Sequence, residues 1–131
     1  MSLLCLVGGA FKASLAGTLF TLQWAHSVEH ILWQEDWRIE ADALVLVEAR
    51  IRGSGAGMDP PPGARLRDGV WHYQADRRLP EILLSSGSGQ PEYTLCADDQ
   101  CRPITAWLGG TPADGRIGMR ACQAPKSGKA R

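Results

Sequence analysis

The stretch from Phe20 to Ile39 constrains the fold more than any other part of the chain. It alternates apolar and polar residues with the two-residue period of a β-strand. Residues 27–30, Ser-Val-Glu-His, interrupt this alternation with a polar turn. Two strands folded back on each other around that turn set Trp24 opposite Trp33. The stretch therefore predicts an antiparallel hairpin.

The same hairpin places a carboxylate on an apolar face. Glu35 would lie opposite Leu22 and between Trp33 and Trp37. Because burying an unpaired charge is very costly, Glu35 must be exposed, paired or functional. A short helix over residues 27–36 is the alternative, and it fits the spacing of the tryptophans less well.

Short alternating or apolar runs recur along the whole chain. Turn signals such as Gly8-Gly9, Asp68-Gly69 and Asp114-Gly115 separate them, and no long segment has the period of an amphipathic helix. This organisation predicts an all-β fold, a compact antiparallel β-sandwich or small barrel of about 8–10 short strands. The predicted strands are residues 3–7, 10–16, 18–26, 30–40, 43–51, 70–74, 80–84, 92–96, 102–105 and 116–122.

Length and charge bound the function classes. A chain of 131 residues is large enough for one hydrophobic core, so we expect a single β-domain over residues 1–123 and a loose C-terminal tail over residues 124–131. Fourteen basic residues balance fourteen acidic ones, which gives no electrostatic argument for nucleic acid as a partner. No apolar run reaches the ~18 residues of a membrane-spanning helix.

The first residues are open to two interpretations. Residues 2–11 carry no charge, as in a secretory signal, but Lys12 follows this run instead of preceding it, which is the wrong polarity. The run Leu3–Val7 followed by Gly8-Gly9 fits a first strand and a turn better.

The four cysteines are Cys5, Cys96, Cys101 and Cys122. Cys96 and Cys101 flank the polar turn Ala97-Asp-Asp-Gln100, so a local disulfide across the mouth of a hairpin is sterically reasonable. Free thiols are the alternative, and the sequence leaves the pairing of Cys5 and Cys122 open. A zinc site is disfavoured because no second ligand pair lies nearby.

A third strand brings more charge to the hairpin. A turn at Ala41-Asp42 would set Glu35 opposite Glu48 and Trp33 opposite Arg50. Opposed carboxylates repel unless a cation lies between them, so we predict one hydrogen-bonded group of Glu35, Glu48 and Arg50. This group is either a polar cluster on a solvated surface or part of a ligand pocket with aromatic walls.

A glycine-rich loop follows the third strand and should lie near the tip of the first hairpin. Glycines at alternate positions let a backbone approach a ligand closely, although a loop that merely crosses the end of a sandwich is the alternative. The predicted recognition surface consists of His26, Ser27 and Glu29 at the tip and Gly53, Ser54, Gly55, Gly57 and Met58 in the loop. The spacing of His26 and His30 suits zinc on a helix and not on a strand, so no metal or other cofactor is predicted.

Several motifs together resemble a bacterial domain-of-unknown-function family, number 1850. They are Trp24-Ala-His-Ser-Val-Glu29, Trp33-x-Glu-x-Trp37, Val47-Glu-Ala-Arg50, Gly53-Ser-Gly-Ala-Gly-Met58, Asp68-Gly-x-Trp-x-Tyr73 and the segment from Leu95-Cys96 to Cys101. The resemblance covers roughly residues 3 to 122. Such proteins are typically encoded beside fused permeases of TRAP transporters that use TAXI-type solute-binding proteins. The resemblance implies an accessory role at the outer face of the inner membrane, and it supplies no reaction and no catalytic residues.

Two function classes follow. The first is a non-enzymatic accessory β-domain that binds a TRAP transporter permease, its solute-binding protein or a small acidic solute. The alternative is a small-molecule-binding or hydrolytic enzyme that uses Glu35, Glu48 and His26. The resemblance implies a periplasmic location close to the membrane, whereas the N-terminus without a clear signal keeps the cytoplasm as the alternative.

Overall fold

The strands of this protein follow the alternating runs of its sequence. The structure is a computed structural model that describes residues 2–25, 31–52, 63–87 and 90–123, apart from the side chains of residues 75 and 76. The elements within these residues are β1 (Ser2–Gly8), β2 (Phe11–Ala16), β3 (Leu19–Ala25), β4 (Leu32–Ile39), β5 (Leu44–Arg52), β6 (Arg65–Arg67), β7 (Val70–Leu79), β8 (Ile82–Ser85), β9 (Thr94–Ala97), β10 (Gln100–Pro103), α1 (Ile104–Leu108) and β11 (Arg116–Gln123).

The strands form two antiparallel sheets that pack against each other. One sheet has four strands in the order β2-β1-β11-β8, and the other has seven in the order β10-β9-β3-β4-β5-β7-β6. The all-β, sandwich-like fold predicted from the sequence is confirmed. Each predicted strand has a counterpart, and the prediction missed β6 and the short helix α1, whose first residues it assigned to a strand over residues 102–105.

The core lies between the two sheets. Leu4 and Leu6 of β1 and Ile117 and Met119 of β11 are almost completely inaccessible, because alternate side chains of the four-stranded sheet point inward. They belong to one apolar cluster with inward side chains of the larger sheet, among them Phe20, Leu22, Trp37, Leu44, Leu46 and Leu95. Burial of this apolar surface is the main force that holds the two sheets together.

The first hairpin has the predicted register, and the next strand departs from it. Trp24 pairs with Trp33, and Leu22 pairs with Glu35. Between β4 and β5, Trp37 pairs with Leu46 as predicted, but a β-bulge then sets Glu35 opposite Ala49. The predicted pairings of Glu35 with Glu48 and of Trp33 with Arg50 are therefore wrong.

The bulge adds one residue to β5 and changes the face on which the following side chains lie. Asp36 pairs with Glu48 while its neighbour Trp37 pairs with Leu46, so Val47 is the extra residue on β5. Because strand side chains alternate, one extra residue turns every later side chain to the other face. Glu48 and Arg50 consequently lie on the outer face of the seven-stranded sheet.

Within the part of the chain that the structure describes, no helix is long and apolar enough to cross a membrane.

Candidate functional site

The outer face of the seven-stranded sheet carries two neighbouring rows of polar side chains, which we call the polar face. Residues that pair across antiparallel strands point to the same side of the sheet. One row runs across five strands and the next across four. The first row is Gln23, Gln34, Arg50, His72 and Arg65, and the second is Thr21, Asp36, Glu48 and Gln74.

Arg50 is the centre of the polar face. Its Nη1 and Nη2 atoms donate to the two carboxylate oxygens of Asp36 at 2.6 and 2.8 Å, and Nη1 also donates to Glu48 Oε1 at 2.8 Å. The Thr21 hydroxyl donates to Asp36 Oδ1 at 2.7 Å. The Arg50 side chain is only 19% exposed, so this bidentate pair is held with much of its water removed.

The ion pair fixes the charge of its members. The hydrogen bonds from Arg50 hold the pKa of the Asp36 carboxyl below its usual value, and this effect outweighs the opposing effect of burial. The hydrogen bond to Asp36 likewise raises the pKa of Arg50 above its usual value. Both groups therefore stay charged at neutral pH, and the centre of the polar face is a fixed network and not a proton-transfer pair.

A cavity of about 510 Å³ lies beside this network, towards the edge of the sheet. We call it the His72 cavity. Its lining residues are Glu48, Gly63, Arg65, Arg67, His72, Tyr73 and Gln74. His72 Nδ1 lies 3.8 Å from Glu48 Oε2, and it is a buried nitrogen without a hydrogen-bond partner among the described residues. Within the described part of its lining, the cavity thus combines two arginines with a polar atom whose hydrogen-bonding capacity is unused.

A second cavity, of about 540 Å³, lies on the opposite flank of the network. It is lined in part by Leu19, Thr21 and Asp36, and by both cysteines of the turn between β9 and β10. In the structure Cys96 and Cys101 form a disulfide, and their strands pair directly at this point. This bridge therefore closes one side of the polar face.

Glu35 lies on the inner face, among aromatic rings. Trp37 Nε1 donates to Glu35 Oε1 at 3.2 Å. Burial raises the pKa of the Glu35 carboxyl, and the hydrogen bond from Trp37 offsets only part of this effect. Burial, followed by the nearby charge of Glu35, raises the pKa of Tyr73 and Tyr93. As the sequence indicated, Glu35 is thus a carboxylate in a largely apolar environment.

The tryptophans beside Glu35 stack on each other. The rings of Trp24 and Trp33 are 6.1 Å apart and nearly parallel, and Tyr93 packs at an angle against Trp24. Within the described part of the chain, Trp33 Nε1 is buried without a hydrogen-bond partner. This end of the inner face is therefore aromatic, with the carboxylate of Glu35 close to the rings.

The predicted group of Glu35, Glu48 and Arg50 is formed only in part: Arg50 binds Glu48, but Glu35 lies on the other face of the sheet. Asp36 occupies the position that the prediction gave to Glu35, because the bulge at Val47 carries Glu48 and Arg50 to the side of Asp36. The remaining predicted binding residues lie outside the described residues: His26, Ser27, Glu29, Gly53, Ser54, Gly55, Gly57 and Met58.

The flanks of these two segments are close together. Leu32, at the start of β4, pairs with Arg52, at the end of β5. Ala25, at the end of β3, pairs with the same Leu32. The connection after β3 and the connection after β5 therefore leave the sheet at the same end, as the topological argument from the sequence predicted.

The prediction missed the hairpin that builds the His72 cavity. Asp68 and Gly69 adopt φ values of 50° and 78°, the positive values of a tight two-residue hairpin turn. This turn sets Arg65 opposite His72 and so places both on one face. The signal was in the sequence, since Asp-Gly between alternating residues is a strong hairpin pattern.

Most of this sheet lies within a region that matches a known family model. The model named Domain of unknown function (DUF1850) matches residues 20–104. The chain belongs to this family. The DUF1850 region runs from β3 to the start of α1, and thus contains the whole polar face. No curated protein and no solved structure matches the chain. Across the described ranges, no group of three or more His, Cys, Asp or Glu residues could hold a metal ion.

Proposed function

We propose that this protein is a non-enzymatic accessory β-domain of a TRAP transporter with a TAXI-type solute-binding protein. In this proposal the domain lies at the outer face of the inner membrane and binds the permease. Membership of the DUF1850 family supports the assignment, because the resemblance described above associates that family with such transporters.

The two disulfides are the observation that supports a location outside the cytoplasm. All four cysteines are bonded, as Cys5–Cys122 and Cys96–Cys101. Disulfides persist in oxidising compartments such as the periplasm and are rare in the cytosol. The two bridges therefore support an extracytoplasmic domain.

The arrangement of the acidic groups favours binding over catalysis. Glu35 and Glu48, the two carboxylates of the enzymatic alternative, lie on opposite faces of the sheet. Glu48 is engaged by Arg50, which Asp36 also binds. Paired acid–base catalysis needs two carboxylates that face one substrate, and these two do not.

The proposed docking surface is the sheet end at which β3, β4 and β5 meet. Rigid strands that end together can present their connections as one surface. Leu32 and Arg52 mark this end among the described residues. The predicted recognition residues His26, Ser27 and Glu29 lie in the chain between β3 and β4, and Gly53 follows β5.

Co-purification with the permease tests the proposal. The tagged protein is expressed with its neighbouring permease, and detergent-solubilised membranes are passed over an affinity resin. We expect the permease to be retained by the wild type and lost with His26→Ala. Lys12→Ala is the matched control, because Lys12 is exposed on β2 of the other sheet.

Folded, disulfide-bonded protein that never retains the permease would exclude the proposal. Equal retention by the wild type and His26→Ala would exclude this sheet end as the docking surface. The circular dichroism spectrum of each variant shows that it is folded before its binding is compared.

A further inference from the structure

We propose that the His72 cavity binds a small organic anion that carries a carboxylate or phosphate group together with a hydroxyl group. This inference goes beyond the proposed function, since it concerns a ligand and does not depend on a permease.

The basic side chains of the cavity come from β6. Arg65 and Arg67 are two residues apart, so their side chains leave the strand on the same face. Both line the cavity, and neither forms a salt bridge with any residue in the described part of the chain. A guanidinium group presents paired donors that match the oxygens of a carboxylate or a phosphate.

Arg50 offsets part of the charge of Glu48, the acidic side chain of the cavity. Glu48 Oε1 accepts a hydrogen bond of 2.8 Å from Arg50 Nη1. Arg50 is shared with Asp36, so Arg50, Asp36 and Glu48 together carry one net negative charge, whereas Arg65 and Arg67 of the cavity add two positive charges. The net electrostatic preference of the cavity is for negative charge.

Among the described residues, two polar atoms of the cavity lining, Glu48 Oε2 and His72 Nδ1, have unused hydrogen-bonding capacity. Glu48 Oε2 faces His72 Nδ1 at 3.8 Å, which is too long for a hydrogen bond. His72 Nδ1 is buried and has no partner among the described residues. A buried polar atom without a partner requires an explanation, and a bound group is one. A small shift of the His72 ring, whose Nδ1 has almost no accessible surface in this structure, lets a ligand hydroxyl donate to Glu48 Oε2 and accept from His72, which is why the proposed anion carries one.

The size and position of the cavity suit a small ligand. Its volume of about 510 Å³ lies within the usual range of ligand sites. One wall belongs to β5 and β7, which are paired along most of their length, and the other belongs to β6, which has only three residues. The paired strands that hold His72 and Glu48 thus lie beside a short edge strand of the same sheet that carries the arginines.

Titration of the full chain with three probes tests the proposal. The probes are inorganic phosphate, malate and succinate, and binding is followed by the NMR signals of the His72 ring and the arginine side chains. We expect saturable binding of phosphate or malate with a Kd below about 5 mM. Comparing the affinities for phosphate and malate shows whether the cavity prefers a phosphate or a carboxylate group. Malate should bind at least about 3-fold tighter than succinate, which has no hydroxyl.

Matched arginine variants locate the site. Arg65→Gln and Arg67→Gln should each weaken binding about 10-fold, because each removes a charged donor pair. Arg116→Gln removes the same charge from an exposed position on β11 of the other sheet and should leave the Kd unchanged.

Three results would overturn the inference. Linear, non-saturating shifts with all three probes would show that no site exists. If Arg116→Gln weakened binding as much, the effect of the cavity variants would reflect only the net charge of the protein. Equal affinity for malate and succinate would show that the cavity does not recognise a hydroxyl group, contrary to the proposal.

Discussion

At the residue scale, Arg50 organises the polar face. It binds Asp36 through two hydrogen bonds and Glu48 through a third. Removal of one partner from such a group leaves the others charged and partly desolvated, and this costs more than the pair itself contributes. The stability of the outer face should therefore depend on this one side chain.

We predict that Arg50→Ala lowers the free energy of unfolding by about 2–3 kcal/mol, less than for a completely buried pair because the side chain is 19% exposed. Arg38→Ala is the control, since Arg38 is 48% exposed and pairs with Glu40 at the surface. That change should cost below about 1 kcal/mol. Urea unfolding at neutral pH measures both. Equal effects of the two changes would show that the polar face is an ordinary solvated surface.

Whereas Arg50 stabilises the protein, ionised Glu35 should destabilise it, because burial raises the pKa of the Glu35 carboxyl. The folded state then holds the proton more tightly than the unfolded chain does. The stability therefore falls as pH rises from the usual value of 4.5 through the higher folded value, and ionised Glu35 is unfavourable at neutral pH.

We accordingly predict that Glu35→Gln raises the free energy of unfolding at pH 7 by about 1 kcal/mol. The amide oxygen can still accept the hydrogen bond from Trp37 Nε1. The gain should shrink as the pH falls towards the usual carboxyl range, where Glu35 is protonated in both states. Unfolding titrations across acidic and neutral pH test this, with exposed Glu81→Gln as the control. A gain that does not vary with pH would contradict the assignment to ionisation.

At the element scale, alternation in the sequence predicted nearly every strand but not the register between β4 and β5. Hydrophobic periodicity reports which residues are apolar, and the apolar residues on both sides of Val47 satisfy it. A bulge adds one residue without breaking the apolar run, so period alone cannot locate it. The error in register placed Glu48 and Arg50 of the predicted site on the wrong face of the sheet, because both residues follow the bulge.

The contact between the end of β8 and the start of β11 depends on a glycine. Gly115 has a φ of 71°, and a Cβ atom there would collide with the Ser86 carbonyl oxygen. The carbonyl oxygen of Gly115 accepts hydrogen bonds from both the amide and the hydroxyl of Ser86. A side chain at this position would therefore strain the backbone and separate two hydrogen-bonded segments.

We predict that Gly115→Ala destabilises the protein by about 3 kcal/mol or more, from backbone strain and the collision together. Gly69→Ala is a matched control, since Gly69 also has a positive φ, 78°, and has open space around it. It should cost only the strain of about 1–2 kcal/mol. Thermal unfolding of both variants compares the two costs. A cost at Gly115 no larger than at Gly69 would show that the backbone moves away freely.

At the scale of the whole molecule, the two disulfides close loops of very different length. Cys5 and Cys122 are 117 residues apart in sequence, whereas Cys96 and Cys101 are 5 apart. The long loop joins the first strand to the last, and β1 and β11 lie side by side in the four-stranded sheet. The sequence left Cys5 and Cys122 unassigned because only the sheet order brings the two ends of the chain together, whereas the local spacing of Cys96 and Cys101 was enough to indicate a pair.

Loop length predicts how much each bridge stabilises the fold. Closing a loop restricts the unfolded chain, and the loss of entropy grows with the logarithm of the loop length, to about 5 kcal/mol for Cys5–Cys122 and about 2 kcal/mol for Cys96–Cys101. We therefore expect the double change Cys5→Ala and Cys122→Ala to lower the midpoint of urea unfolding much more than Cys96→Ala with Cys101→Ala. The second pair is the control for the loss of two sulfur atoms. Equal shifts, or a larger shift for the short loop, would mean that local packing around each bridge outweighs the constraint on the unfolded chain.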